Sequence, residues 1–269
     1  MTTASSIWRS YDSIAQRYDD IWGDHFEEAA RHMWTHIPYC AGDAVLDIGT
    51  GTGAVPRAIG ARISELKVVG CDRSGGMLSQ AKTQTPMLGA LAAEAEDLPF
   101  RQSIFDVVTA GFVMSHLRDY RAGLIEAYRV LKPAGVFAMS SWTAGANPYR
   151  EAWHRLLTEA VSRERLQEGV NQITPFAGYF EDERHVGTAL AEAGFADVQL
   201  HVVELKWRLS LEDYLADREI TSSGRYAKFI LGSGSWAQLL ANAREKLRQE
   251  FGSWFSYSSG AIIALGYKS

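Results

Sequence analysis

Residues 45–53 constrain the fold of this chain more than any other stretch of the sequence. They read VLDIGTGTG, an apolar run that contains one acid, Asp47, and ends in three glycines at every second position. Such a run before a glycine-rich turn is typical of a buried β-strand that leads into a helix. Glycine has no Cβ, so the backbone of this turn can approach a ligand closely. The stretch therefore predicts an α/β unit with a ligand site at the end of its first strand.

The residues after this turn alternate between strand-like and helix-like patterns. After the first strand at 44–48, strands are predicted over 67–71, 90–93, 105–110 and 136–140, and helices over 54–63, 77–82 and 121–131. Strands that alternate with helices pair in parallel through right-handed crossovers. The pattern predicts a doubly wound α/β sheet around the glycine turn.

The rest of the chain is predicted to be mainly helical. Apolar residues at helical spacing predict helices over 6–22, 26–37, 151–166 and 182–193, with a loop over 169–180 and a capping box at Ser210 that opens another helical region. Two further strands are predicted over 197–207 and 261–267. The predicted organisation is an N-terminal helical lid (1–42), a core (43–142), a helical insert (143–180), a core helix with the sixth strand (181–209), a second insert (210–252) and a last strand (253–269).

Composition argues against several classes of protein. The 269 residues carry a net charge of −5, which gives little attraction for nucleic acid or an anionic membrane. Two cysteines, Cys40 and Cys71, imply no disulfide framework, and no apolar run approaches the ~20 residues of a membrane span. We therefore expect a cytoplasmic protein, monomeric or homodimeric, that acts on a small molecule.

Two kinds of cofactor fit the glycine turn. Gly49, Gly51 and Ala54 match the GxGxxG/A pattern of dinucleotide-binding proteins, and Asp72 follows at the distance of a ribose-binding acid. Asp47 argues against a dinucleotide, because a carboxylate two residues before the first glycine would repel a pyrophosphate. The same carboxylate favours a ligand with a positively charged ammonium or sulfonium group.

Further motifs point to the second kind of cofactor. They are EAEDLPF at 94–100, FDVV at 105–108, RVLKPAG at 129–135, EAGF at 192–195, and the pairs Tyr11-Asp12 and Tyr18-Asp19. With residues 45–53 and 72–78, they resemble the class I S-adenosylmethionine (SAM)-dependent methyltransferases, in the branch of the ubiquinone/menaquinone C-methyltransferases and natural-product methyltransferases. The resemblance implies a Rossmann-like seven-stranded sheet with an antiparallel last strand. It also implies SAM as cofactor and S-adenosylhomocysteine as its product.

The resemblance assigns residues to cofactor binding. Asp47, Gly49, Thr50, Gly51 and Gly53 would hold the methionyl part, and Asp72 the ribose hydroxyls. Glu94 stands where the family usually has Asp or Asn, and Ala134 replaces a usual glycine. The other residues assigned to the cofactor are Arg73, Met77 and Ala95 near the adenine, Gly111 near the methionyl amine, Tyr11 and Tyr18 in the lid, and Glu96 without a named contact.

The acceptor site is predicted from its chemistry. His116 follows the fourth strand and is the candidate general base. An aromatic wall is predicted from Tyr11, Trp22, Trp142, Trp153, Phe176, Tyr179 and Phe180. The expected reaction is methyl transfer to an oxygen, nitrogen or carbon atom of a small, fairly hydrophobic metabolite, without a metal. The alternatives are a relative that binds SAM but catalyses a non-methylating reaction such as a cyclisation, or only binds a ligand, and an NAD-linked oxidoreductase.

Overall fold

The computed structural model describes residues 8–269, except the side chain of residue 61, and contains among them one seven-stranded sheet. The strand order is β3-β2-β1-β4-β5-β7-β6, and β7 runs antiparallel to β5. This confirms the predicted doubly wound sheet and its antiparallel last strand. The strands are β1 (Ala44–Ile48), β2 (Lys67–Asp72), β3 (Gly89–Ala92), β4 (Phe105–Gly111), β5 (Leu131–Trp142), β6 (Ala196–Ser210) and β7 (Trp254–Tyr267).

Nine helices accompany the sheet within residues 8–269. They are α1 (Ala15–His36), α2 (Ala54–Ala58), α3 (Gly75–Gln84), α4 (Tyr120–Val130), α5 (Pro148–Ala160), α6 (Arg163–Asn171), α7 (Glu183–Glu192), α8 (Leu211–Ile220) and α9 (Ser222–Phe251), and three short 3₁₀ segments lie at Asp12–Ile14, Gly60–Glu65 and Met114–His116. α9 is kinked at Gly232, whose backbone is non-helical. In this described part of the chain, no helix has the length and apolar character that crossing a membrane requires.

The first strand sits at the centre of the parallel part of the sheet. Val45, Leu46 and Ile48 are fully buried, because helices cover both faces of the sheet. Asp47 lies opposite Gly70 of β2 on one side and Thr109 of β4 on the other. Asp47 and the glycine turn that follows it therefore lie in the middle of the sheet edge at which the parallel strands end.

The N-terminal helix differs from the prediction. The sequence predicted two helices, over 6–22 and 26–37, but α1 is one helix of 22 residues. Gly23 does not end it, because this glycine is buried and a Cβ there would lie 2.9 Å from Asp19 Oδ1. The glycine allows close packing rather than a turn. Residues 1–7 of the predicted lid lie outside the described residues.

Other corrections are local. The helix predicted over 54–63 is α2 followed by a 3₁₀ segment, because Gly60 adopts a φ of +62°. The helix predicted over 151–166 is two helices, since Ser162 caps α6 with its side chain. The predicted cap at Ser210 is confirmed, because its hydroxyl accepts a hydrogen bond from the Asp213 amide at 3.1 Å.

The chain divides into two compact units. The sheet unit comprises Tyr11–Ala144, Phe176–Leu205 and Gly260–Ser269, and the helical unit comprises the described residues 8–10, Gly145–Pro175 and Lys206–Ser259. The helical unit has its own core, in which Trp153, Tyr214, Trp236 and Phe255 are buried. In the sheet unit, two apolar cores lie on the two sides of the sheet.

Candidate functional site

A cavity opens in the sheet unit where β1, β2 and β4 end. Its volume is about 710 Å³, including its open mouth. Parallel sheets bind their ligands at this edge. Of the residues predicted for the site, the cavity is lined by Tyr11, Tyr18, Gly49, Gly51, Asp72, Arg73, Met77, Glu94, Ala95, Gly111 and His116.

The glycine turn forms one wall of this cavity. Gly49 has a φ of +61°, which a residue with a Cβ rarely adopts. A Cβ at this position would lie 2.5 Å from Val113 Cγ2. Only glycine fits here without displacing the loop after β4, so the turn keeps the backbone next to the cavity.

Asp72 lies at the end of β2 with both carboxylate oxygens fixed. Oδ2 accepts a hydrogen bond from the Gly51 amide at 3.0 Å, and Oδ1 accepts one from the Ser74 amide at 2.8 Å. Burial raises the pKa of this carboxyl, and the two amides oppose that shift. A carboxylate oxygen has more than one lone pair, so each oxygen can accept a further bond from a hydroxyl. This arrangement fits a pair of ribose hydroxyls.

Four predicted residues lie outside the lining of this cavity. Thr50 lines a smaller neighbouring cavity of about 430 Å³, and Gly53 precedes α2 in a left-handed conformation. The Glu96 carboxylate accepts a hydrogen bond from the Arg118 amide at 2.9 Å, so it supports the loop after β4. Asp47 is buried beneath the turn, and burial raises its pKa to about 7.

In both Tyr-Asp pairs, the tyrosine lines the cavity and the acid contacts other parts of the protein. Tyr11 and Tyr18 line the cavity, and burial raises the pKa of Tyr18 well above its usual value. Asp12 Oδ1 accepts hydrogen bonds from the Ser74 hydroxyl at 2.7 Å and the Gly76 amide at 2.9 Å. Each acid thus fastens the N-terminal segment while the preceding tyrosine faces the cavity.

The second acid, Asp19, acts through Arg57, which sequence reasoning missed. Arg57 follows the glycine turn and donates to the Thr52 carbonyl at 2.6 Å, to Glu27 at 3.1 Å and to Asp19 at 3.1 Å. Its side chain is 17% exposed and that of Asp19 is 8% exposed. Arg57 therefore ties α1 to the glycine turn, a role that its position in the sequence does not signal.

Replacing Arg57 by Met should loosen α1 from the turn. We expect the free energy of unfolding to fall by about 1–3 kcal/mol, between the values for exposed and buried ion pairs. SAM should also dissociate several-fold faster, because Tyr18 is no longer held over the cavity. Arg62→Met is the matched control, since Arg62 is 61% exposed and contacts Glu65 at 3.9 Å and the Tyr39 ring at 4.7 Å. Equal SAM dissociation rates for the two variants, measured by stopped flow, would contradict this role.

Aromatic rings cluster beside the cavity in the sheet unit. Phe112 has a φ of +56°, and its ring centre lies 4.3 Å from Trp142 and 5.1 Å from Phe26. Trp22 stacks on Phe26 at 5.3 Å. Phe112 itself lines the cavity. The sequence predicted Trp22 and Trp142 for the wall but missed the two phenylalanines.

Some of the predicted wall residues belong to the packed cores instead. Trp153 is 2% exposed in the core of the helical unit. Phe176, Tyr179 and Phe180 pack around Tyr120 in a core of the sheet unit, with ring centres 4.8–5.2 Å from it. Their apolar surface is used for packing, which local sequence patterns do not distinguish from a ligand wall.

His116 ends the 3₁₀ segment after β4 and lines the cavity. Its ring centre lies 6.1 Å from that of Tyr11 in an edge-on arrangement. Among the described residues, no group of three or more His, Cys, Asp or Glu side chains has the arrangement of a metal site.

Comparisons with known proteins identify relatives of this chain. The family described as "Methyltransferase domain" matches residues 46–139. A demethylmenaquinone methyltransferase of Streptomyces avermitilis is 32% identical over 163 residues, which cover 56% of this chain and 67% of the relative. The cavity-lining residues from Gly49 to Leu117 lie within the range that the family matches, whereas Tyr11 and Tyr18 lie before it.

Solved structures share the fold. A protein of Bacillus halodurans, crystallised as a candidate methyltransferase, is 18% identical and superposes with a TM-score of 0.59 over 90% of this chain and 99% of its own. A phosphoethanolamine N-methyltransferase of Haemonchus contortus, solved with S-adenosyl-L-methionine, is 19% identical with a TM-score of 0.60, over 100% of this chain and 60% of its own. At these identities the likeness concerns the fold alone.

Proposed function

We propose that this chain, which belongs to the class I SAM-dependent methyltransferases in the branch of the quinone C-methyltransferases, methylates a small, fairly hydrophobic aromatic metabolite of phenol or quinol type. The observation that carries the proposal is the aromatic cluster of Phe112, Phe26, Trp22 and Trp142 beside the cavity. Flat aromatic molecules stack on such rings. The demethylmenaquinone substrate named for the Streptomyces relative supports the same class of acceptor.

The residues around the cavity fit SAM. Asp72 is oriented to accept from the ribose hydroxyls, and the Gly49 backbone can come close to the methionyl end. Met77, which is 3% exposed, and Arg73 line the side on which the adenine would lie. When bound, SAM supplies a methyl group on a positively charged sulfonium, already activated for displacement. The protein therefore has to align the acceptor with the methyl group and to exclude water.

His116 is the proposed general base. The transfer would break the methyl–sulfur bond, with its electron pair left on sulfur, and would form a bond between the methyl carbon and the acceptor. A phenol or quinol must then lose a proton, which His116 would accept from the acceptor hydroxyl. The position of His116 on the cavity lining, beside Tyr11, supports this role.

Replacing His116 by Ala should reduce kcat about 10²–10⁴-fold, the usual contribution of a general base. The affinity for SAM should change by less than threefold. Added imidazole should restore part of the rate of this variant, which a purely structural role would not allow. His32→Ala is the control, because His32 is exposed on α1. An unchanged kcat in His116→Ala would exclude His116 as the base.

The function is tested with methyl-labelled SAM and a panel of acceptors. The panel contains a naphthoquinol, simple phenols, an aliphatic amine and transfer RNA, so that the acceptor classes are compared in one experiment. We expect label only in the aromatic hydroxyl compounds, at the oxygen or a ring carbon. Transfer to the amine or the RNA alone would contradict the proposed acceptor class. Chemical change of an acceptor without consumption of SAM would favour a non-methylating reaction such as a cyclisation.

A further inference from the structure

Two cavities of the sheet unit share part of their lining. The first is the cavity of about 710 Å³ described above, and the second, of about 430 Å³, lies beside the glycine turn. The first extends to Asp72 and Met77, whereas the second extends to Thr50 and to Val55 of α2. The residues that line both are Tyr18, Gly49, Gly51, Gly111 and Phe112. These five residues therefore form the boundary between the two cavities.

The covalent structure of SAM would place its sulfur at this boundary. In the function proposed above, the ribose lies against Asp72 in the first cavity. The methionyl chain follows the glycine turn, from which Thr50 lines the second cavity. The sulfonium joins the adenosyl part to the methionyl chain and carries the methyl group as its third substituent. The sulfur and its methyl group would therefore lie next to the residues that both cavities share.

Phe112 contributes a ring to this boundary on the side of the proposed base. Three of the five boundary residues are glycines, so only Tyr18 and Phe112 have side chains there. Tyr18 comes from α1, whereas Phe112 belongs to the loop after β4, which carries His116 four residues later. The centre of the Phe112 ring lies 5.1 Å from that of Phe26 and 4.3 Å from that of Trp142, so neighbouring rings restrict its movement. A methyl group that points toward an acceptor at His116 would therefore lie beside this ring.

The backbone of Phe112 is strained. Its φ is +56°, in the left-handed region that a bulky residue rarely adopts, and its amide donates a hydrogen bond to the Ser140 carbonyl at 3.0 Å. The preceding Gly111 has no positive φ, and its small size is needed because a Cβ there would lie 2.8 Å from Val55 Cγ2. A glycine at position 112 would relieve the strain but would remove the ring. Such strain persists where the surrounding structure imposes it, and it is common at ligand sites.

We infer that Phe112 is a specificity-determining residue whose ring limits the size of the alkyl group on the cofactor sulfur, so that the site accepts a methyl group and rejects longer groups. The inference rests on the function proposed above. It concerns the donor, whereas the stacking on the aromatic cluster concerns the acceptor. One extra carbon in a packed apolar site changes affinity by about 10–200-fold, so a single ring is enough to produce this selection.

The size limit is measured by calorimetry with SAM and with its S-allyl analogue, in which an allyl group replaces the methyl group. We expect the wild type to bind the analogue about 10–100-fold more weakly than SAM. Phe112→Ala and Phe112→Gly should bind the two compounds within about threefold of each other, because no ring meets the longer group. Phe100→Ala is the matched control, since Phe100 packs on Phe105 at 5.0 Å and lines neither cavity. It should keep the wild-type preference.

The same variants test the backbone strain without any cofactor. Glycine adopts a positive φ without strain and alanine does not, so Phe112→Gly should melt at a higher temperature than Phe112→Ala. The order should be reversed for Val113→Gly and Val113→Ala, because Val113 has a φ of −97°. A Phe112→Gly variant that melts below Phe112→Ala would overturn the inference that the fold holds this ring in place. If Phe112→Ala does not fold, Phe112→Gly still measures the size limit.

The titrations decide between the possible roles of the ring. A relaxed preference in the Phe112 variants but not in Phe100→Ala supports the inference. The same preference for SAM in the wild type and in Phe112→Gly would overturn it. Equal relaxation in Phe100→Ala would overturn it as well, since general loosening would then be the cause. A wild type that binds the analogue as tightly as SAM would also overturn it, and all three results leave the methyltransferase function intact. Failure of the wild type to bind SAM would overturn the proposed function together with this inference.

Discussion

Asp72→Ala is expected to weaken SAM binding at least a hundredfold. The substitution removes a carboxylate that would accept two hydroxyl hydrogen bonds, each worth about 1.5–3 kcal/mol when one partner is charged. It also releases the amides of Gly51 and Ser74, which the carboxylate holds at 3.0 and 2.8 Å. Calorimetric titration with SAM measures the loss directly, without needing an acceptor.

Two companion variants separate binding from folding. Asp72→Asn retains one carbonyl oxygen and should have an intermediate affinity for SAM. Asp97→Ala removes an exposed acid near the same edge of the sheet and should bind SAM like the wild type. If Asp72→Ala melts normally and binds SAM with unchanged affinity, the cofactor site has been assigned to the wrong edge.

Gly49→Ala is expected to destabilise the protein and to close the cofactor site. The left-handed backbone is unfavourable for alanine by about 1–2 kcal/mol, and overpacking against Val113 adds about 1–3 kcal/mol. The added Cβ would be 2.5 Å from Val113 Cγ2, so either the turn or the loop after β4 must move. Thermal melting should show a decrease of about 5 °C or more, and SAM binding should be lost.

A second substitution tests the steric part of this effect. Gly49→Ala combined with Val113→Ala removes the two closest contacts, with Cγ2 and Cγ1, and leaves the backbone strain and a Cβ contact of 3.2 Å, so about half of the lost stability should return. Gly75→Ala is the matched control, because a Cβ there would meet no atom within 4 Å and its φ is not positive. A double variant no more stable than Gly49→Ala would show that contact with Val113 is not the cause.

The central sheet could be predicted because its signals are local. β1, β2 and β4 are short apolar runs that end at, or just before, an acid or a glycine, and the structure has them within one residue of the predicted bounds. The cavity residues could be named because strand ends meet at one edge. In contrast, α1 was predicted as two helices, since the sequence does not show that Gly23 packs beneath Asp19.

The functional residues that could not be predicted from the sequence were missed for the same physical reason. Arg57 binds Asp19, 38 positions away, and Phe26 reaches Phe112 across the fold. Such contacts depend on how helices and strands pack together, and they cannot be predicted from residue type or spacing. The opposite error occurred with Trp153 and Phe180. They were predicted to line the acceptor site because they are aromatic, but both are buried in hydrophobic cores. Local patterns therefore identify strand ends well and distinguish packing from binding poorly.

The place of β7 in the sheet has a consequence for synthesis. This strand comes last along the chain but pairs between β5 and β6, in the interior of the strand order. A ribosome releases the chain from its N-terminal side, so the five parallel strands can assemble while β7 is still being made. Until β7 inserts, β5 presents an open edge and β6 has no neighbour to join. The nascent protein should therefore need protection from aggregation longest at that edge, well after the cofactor cavity has formed.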